Sequence, residues 1–193
     1  SGLSLDLVNS KVYWTNATNS ASNPTVQRAN LDGTNIQTLF TGSDATSVEV
    51  DSVGSKIYWT QGINSNVNTL RRANFDGSGA ETILEWPELN DPVSIAVDGA
   101  GGKVYWAQTF GDRILRANLD GTGLETLLEW PELDDAVSIA LDTAGGKIYW
   151  AQLLNDEVLR ANLDGSNAQS LFAWPRLDDP VALVFDSSSV GPP

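Results

Sequence analysis

"RANLDG" at Arg28–Gly33 returns as "RANFDG" at Arg72–Gly77, and again as "RANLDG" at Arg116–Gly121 and Arg160–Gly165. The four starts, 28, 72, 116 and 160, are 44 residues apart each time, a strict period across most of the 193-residue chain. Self-similarity at a fixed period of this size marks a repeat architecture, in which one supersecondary unit recurs and neighbours bury each other's apolar faces. Asp-Gly inside the hexapeptide is a tight hairpin signal, so one strand is expected to run into it and another to return.

Working outward, the third repeat reads "SIAVDGAGGKVYWAQTFGDRILRANLDGTGLETLLEWPELDDAV". In "SIAVD", Ile95 and Val97 alternate with smaller or polar residues, the period-two pattern of a strand. "GAGG" supplies a turn into "KVYWA", whose β-branched and aromatic residues favour a second strand. "RILRANL" is a third and "LETLL" a fourth, with no helical apolar stripe anywhere. Each repeat is therefore a four-stranded antiparallel meander, the size and strand count of a propeller blade.

The expected fold is all-β: a β-propeller of about four four-stranded blades forming one domain over residues 1–193. Repeats fall at approximately 3–47, 48–93, 94–137 and 138–181, followed by a strand at 182–186 and a tail at 187–193. Innermost-type strands occur five times, ending at Asp6, Asp51, Asp98, Asp142 and Asp186, so one is an extra or swapped closing strand. Open blades would expose strand edges, which favours a small closed ring; an open ring would complete itself with another chain.

The segments "KVYWT", "KIYWT", "KVYWA" and "KIYWA", each followed in order by "RAN-L/F-DG", resemble the YWTD repeat, the class B repeat of low-density lipoprotein receptors. The resemblance covers almost all of residues 3 to 186. It implies a propeller that serves protein interaction and structural spacing, in a secreted or extracellular setting. Two departures stand out. The family's acidic residue after Y-W-T is here an amide, Asn16, Gln61, Gln108 or Gln152, and the family's six blades would need about 260 residues at this repeat length.

Composition narrows the chemistry. There is no cysteine and no histidine, which removes disulfides, Ser-His-Asp and Cys-His catalysis and nearly all transition-metal sites. Eleven Lys plus Arg against 25 Asp plus Glu give a net charge of −14, which repels nucleic acid and anionic membrane surfaces. No apolar run is long enough to cross a membrane. The start at Ser1 fits a processed secreted protein or a trimmed one. Asn16-Ala17-Thr18 has the form of an N-glycosylation triplet.

Several residue sets recur with the period. Asp91, Asp135 and Asp179, with Asp44 aligned to them, each precede an innermost strand and would ring one mouth of the channel. They read either as a solvated acidic rim or as oxygen ligands for a hard cation such as calcium. "EWPEL", "EWPEL" and "AWPRL" place Trp86, Trp130 and Trp174 in three interblade connections. Each Trp either fills the wedge between blades or, with Glu88, Glu132 or Arg176 beside it, offers a rigid aromatic face to a ligand.

The remaining features read as structural. Arg28, Arg72, Arg116 and Arg160 are expected to pair with the strand-ending aspartates, because an arginine on a half-buried strand face needs a partner. The Tyr-Trp pairs are core. Glu49 alone breaks its pattern, standing where other blades carry Ser4, Ala96, Ala140 and Val184. The reading that follows is a non-catalytic protein-binding or ligand-binding propeller. A multivalent lectin using the Trp-Pro loops and a calcium-dependent hydrolase or lyase are the alternatives, the latter disfavoured because no blade is set apart for chemistry.

Overall fold

The computed structural model describes residues 2–16, 24–42, 45–62, 68–129, 133–173, 175 and 177–183. Among these residues sixteen strands form four antiparallel sheets. Blade 1 holds β1 (Leu3–Asp6), β2 (Lys11–Asn16), β3 (Thr25–Asn30) and β4 (Gln37–Thr41). Blade 2 holds β5 (Ala45–Asp51), β6 (Lys56–Gln61), β7 (Thr69–Asn74) and β8 (Glu81–Glu85). Blade 3 holds β9 (Pro92–Asp98), β10 (Lys103–Gln108), β11 (Arg113–Asn118) and β12 (Glu125–Glu129). Blade 4 holds β13 (Ala136–Asp142), β14 (Lys147–Gln152), β15 (Glu157–Asn162) and β16 (Gln169–Phe172). Within each sheet the strands pair in chain order, as the meander pattern requires.

The hairpin in "RANLDG" closes by a turn in which Gly121 N–H donates to the Asn118 carbonyl and Asn118 N–H donates to the Thr122 carbonyl. Within the hexapeptide the glycine takes the left-handed conformation, with φ of 81–85° at Gly33, Gly77, Gly121 and Gly165, and the residue two positions on does so again at Asn35, Gly79, Gly123 and Asn167. The aspartate caps the turn instead. Asp120 accepts from both the backbone and the hydroxyl of Thr122, which holds its carboxyl below the usual range; Asp32, Asp76 and Asp164 do the same. The Lys of each second strand binds the Asn of the hexapeptide, as in Lys103 Nζ to Asn118 Oδ1 at 2.6 Å, which accounts for both residues recurring.

Arginine in the hexapeptide does something other than expected. It does not pair with a strand-ending aspartate. Arg72 donates to Glu81 within its own blade and, through Nη1, to the Leu119 carbonyl of the next blade at 2.7 Å. Arg116 repeats this with Glu125 and the Leu163 carbonyl, and Arg28 with Gln37 and the Phe75 carbonyl. The aspartates turn back on their own hairpins: Asp98 accepts from Gly101 N–H, and Asp142 from Gly145 N–H. "RANLDG" is thus both a hairpin and an interblade clamp, because its Arg reaches forward and its carbonyl receives the Arg behind.

Tyr13, Tyr58, Tyr105, Trp59, Trp106 and Trp150 are fully buried, in clusters that each join two adjacent blades, as expected for core, whereas Trp14 and Tyr149 are only half-buried. Burial pushes the Tyr105 hydroxyl up, with a hydrogen bond from Arg116 opposing.

Among the described residues the four blades form an arc in which β1 and β13 are not neighbours, unlike the expected closed four-bladed ring. Inner strands β1, β5, β9 and β13 pack successively, but β13 and β1 do not pack as neighbours. Beside β13 lies the fifth inner stretch, where Leu183 N–H donates to Ser138 Oγ, just as Ile139 N–H donates to Ser94 Oγ one blade earlier. Leu3 on β1 is 64% exposed while its equivalent Val48 is 1% exposed, since among the described residues no blade packs in front of blade 1.

Candidate functional site

The connectors from each outermost strand to the next innermost strand form a rim with the loops between second and third strands. Asn90 N–H donates to Gln108 Oε1 and Asp134 N–H to Gln152 Oε1. Thr109 N–H donates to the Asp91 carbonyl and Leu153 N–H to the Asp135 carbonyl. The amides that replace the acidic residue after Y-W-T therefore hold the rim loops. Gln61 and Gln152 also accept from the indoles of Trp59 and Trp150. A neutral amide oxygen suffices for these bonds, and Asn16, on the blade without a predecessor, binds Thr25 and Gln27 instead.

Trp86 lies on this rim and is 60% exposed, so it does not fill the wedge between blades 2 and 3. Leu89, three residues on and 0% exposed, does, packing among Tyr58, Leu70 and Trp106. Leu133 occupies the same place one blade later, against Tyr105 and Trp150. The division of labour is legible only in the fold: the leucine after Trp-Pro-Glu is the wedge residue and the Trp is left to solvent. Glu88 is exposed beside it. Trp130, Glu132, Trp174 and Arg176 lie outside the described residues.

A paired measurement tests this. Trp86→Ala is expected to change unfolding free energy by under about 1 kcal/mol, whereas Leu89→Ala should cost about 2–5 kcal/mol through lost burial and a cavity. Denaturant unfolding of both variants decides it, and a larger loss for Trp86→Ala would restore the Trp as the wedge.

The aspartates proposed as a cation ring serve the rim backbone first. Asp91, Asp135 and Asp179 take positive φ of 44–51°, a conformation aspartate tolerates better than most residues. Asp135 N–H donates to the Asp112 carboxylate and Asp179 N–H to that of Asp156. Asp112 and Asp156, which the sequence reading did not single out, thus pin the connectors. Their signal was their own spacing of 44. Among the described residues one group brings three carboxylates within 4.8 Å of one another, Asp156, Asp178 and Asp179. Asp91 and Asp135 belong to no such group, and Asp44 lies outside the described residues, as do Ala17 and Thr18 of the glycosylation triplet.

Inside the arc, the inner strands enclose a cavity of about 560 Å³ lined by Leu3, Ser4, Ile95, Ala96, Ile139 and Glu49, among others. Burial pushes the Glu49 carboxyl up to about 7, with a hydrogen bond from Ser4 opposing the rise. The pattern break read in the sequence is therefore a lone carboxyl on a mostly apolar wall, with Asp142 at the cavity's edge.

Comparison with solved structures establishes the class. A nidogen/laminin complex aligns at a TM-score of 0.83 and 22% identity, covering 96% of this chain and 68% of that one. A putative TolB from Agrobacterium tumefaciens aligns at 0.72 and 14%, covering 89% of this chain and 64% of its own. A structure from a study of two prolyl endopeptidases aligns at 0.59 and 21%, with 27% of its length covered. The chain is a β-propeller fold of four blades that spans about two thirds of the first two structures. No protein-family model and no curated protein matches the chain. Among the described residues no helix is long and apolar enough to cross a membrane.

Proposed function

We propose that the chain is a non-catalytic, YWTD-like binding module that recognises a protein partner through its rim, with Trp86 as an anchor and Glu88 beside it. The observation that carries this reading is the exposure of Trp86, an aromatic side chain that the fold does not use while Leu89 takes the structural place next to it. Exposed Trp on a loop held by backbone hydrogen bonds is an effective interface anchor, because little order is lost when it is covered. An acidic chain of net charge −14 favours a partner with a basic face. The nidogen/laminin structure, a complex between proteins, adds support at the level of fold. The module belongs in an extracellular setting on this reading. Repetition also argues against an enzyme, since the rim contacts recur from blade to blade without one being singled out.

The test is the native protein applied in parallel to an array of purified extracellular proteins and to a glycan array. Selective protein signals uphold the proposal. Signals confined to glycans would replace it with a lectin in which Trp86 stacks on sugar, and two blank arrays would overturn it.

A further inference from the structure

The cavity inside the arc holds a charged group that neither the blades nor the rim use. Glu49 stands on β5 at the place taken by Ser4, Ala96 and Ala140 in the other blades, small residues that leave the inner wall neutral. Burial raises its carboxyl to about 7, and the Ser4 hydroxyl is the side chain that hydrogen-bonds it. That hydroxyl is shared, since Ser4 Oγ also accepts from Val50 N–H. A carboxylate in such a place costs folding free energy unless a counter-charge meets it. No Lys or Arg lines the cavity among the described residues, and its other acid, Asp142, accepts from Gly145 N–H in its own hairpin.

The surroundings define the rest of a ligand. Leu3, Ile95, Ile139 and Leu183 give an aliphatic lining to a volume of about 560 Å³, within the range of about 300–1,000 Å³ common for small-molecule sites. The walls are β1, β5, β9 and β13, packed one after another, so the carboxyl lies among side chains of several blades. No aromatic ring lines the cavity among the described residues, so a quaternary ammonium finds no face to rest on. An ammonium that keeps its N–H donors forms a charge-assisted hydrogen bond with the carboxylate instead. The net charge of −14 acts in the same direction, drawing cations to the chain and repelling anions.

We propose that the cavity is a binding site for a small aliphatic amine, whose ammonium donates to the Glu49 carboxylate and whose hydrocarbon part lies against Ile95, Ile139 and Leu183. The ammonium supplies the counter-charge that the fold leaves out. It thereby accounts for a carboxyl at the one inner position where the other three blades carry small neutral residues. The site is separate from the Trp86 rim, and neither reading depends on the other.

Calorimetric titration of the native chain and Glu49→Gln with n-hexylammonium, hexanol and hexanoate tests the proposal, at a pH of about 8 so that the carboxyl is ionised. The native chain is expected to bind hexylammonium saturably at one site, hexanol at least about 10-fold more weakly, and hexanoate not at all. Glu49→Gln should lower the affinity for hexylammonium by about 10-fold or more, to the level of hexanol, with a melting temperature at or above the native one. Equal native affinities for hexylammonium and hexanol overturn the proposal, since the cavity would then be apolar space alone; this comparison needs no variant. A native chain that binds no hexylammonium overturns it too, as does Glu49→Gln binding the amine like the native chain, which would place the amine on the acidic surface.

Discussion

Gly121→Ala is expected to destabilise the protein by about 3–5 kcal/mol, while Gly33→Ala costs only about 1–2 kcal/mol. Both glycines take nearly the same conformation, at φ 85° and 81°, so the intrinsic cost of adding a Cβ is shared. The difference lies in what the new atom meets. At Gly121 it runs into the Ile83 carbonyl of the preceding blade's β8, which is strand backbone rather than the far end of a flexible side chain; at Gly33 it meets open space. Equilibrium denaturation of monomeric protein compares the two directly. Equal losses would mean that the hairpin's glycine serves its own turn alone and that the interblade clamp is misplaced.

Glu49→Gln is expected to be the most strongly pH-dependent change. The Glu49 carboxyl is raised from its ordinary 4.5 to about 7 by burial, so its protonated form is the one the fold accommodates. A carboxyl with a raised folded pKa contributes stability that is fully present below 4.5 and is lost as pH rises through 7. At 1.36 kcal/mol per pH step, the native protein forfeits about 3 kcal/mol by pH 8. The amide has no charge to desolvate. It should therefore match the native protein at pH 4 and exceed it by about 3 kcal/mol at pH 8. The turn aspartates lose stability as pH falls, in the opposite direction, but they do so in both proteins and cancel from the difference. A gap that is the same at both pH values would show that Glu49 is solvated rather than enclosed.

Much of the fold was legible because its signals are local. Alternation in "SIAVD", aromatic and β-branched residues in "KVYWA" and the glycine of "RANLDG" each determine backbone over a few residues, and the period multiplies them. The partner of Arg116 was not legible, because a backbone carbonyl 47 residues away has no residue type to announce it. The arc was not legible for a related reason: how neighbouring sheets pack depends on contacts between residues of different blades, far apart in the chain. The candidate site was half legible. Composition pointed to Trp86, but its exposure depends on Leu89 filling the wedge, and two apolar residues three apart in a loop do not say which turns inward.

The central functional claim is that Trp86 is an anchor that the fold itself does not need. The most direct measurement is titration of native protein and Trp86→Ala against the protein partner that the array selects, with the melting temperature of both read alongside. Loss of an anchor worth about 2 kcal/mol or more predicts at least a roughly 30-fold rise in Kd with an unchanged melting temperature. Equal affinity for the two proteins would contradict the account and move the binding surface away from this rim.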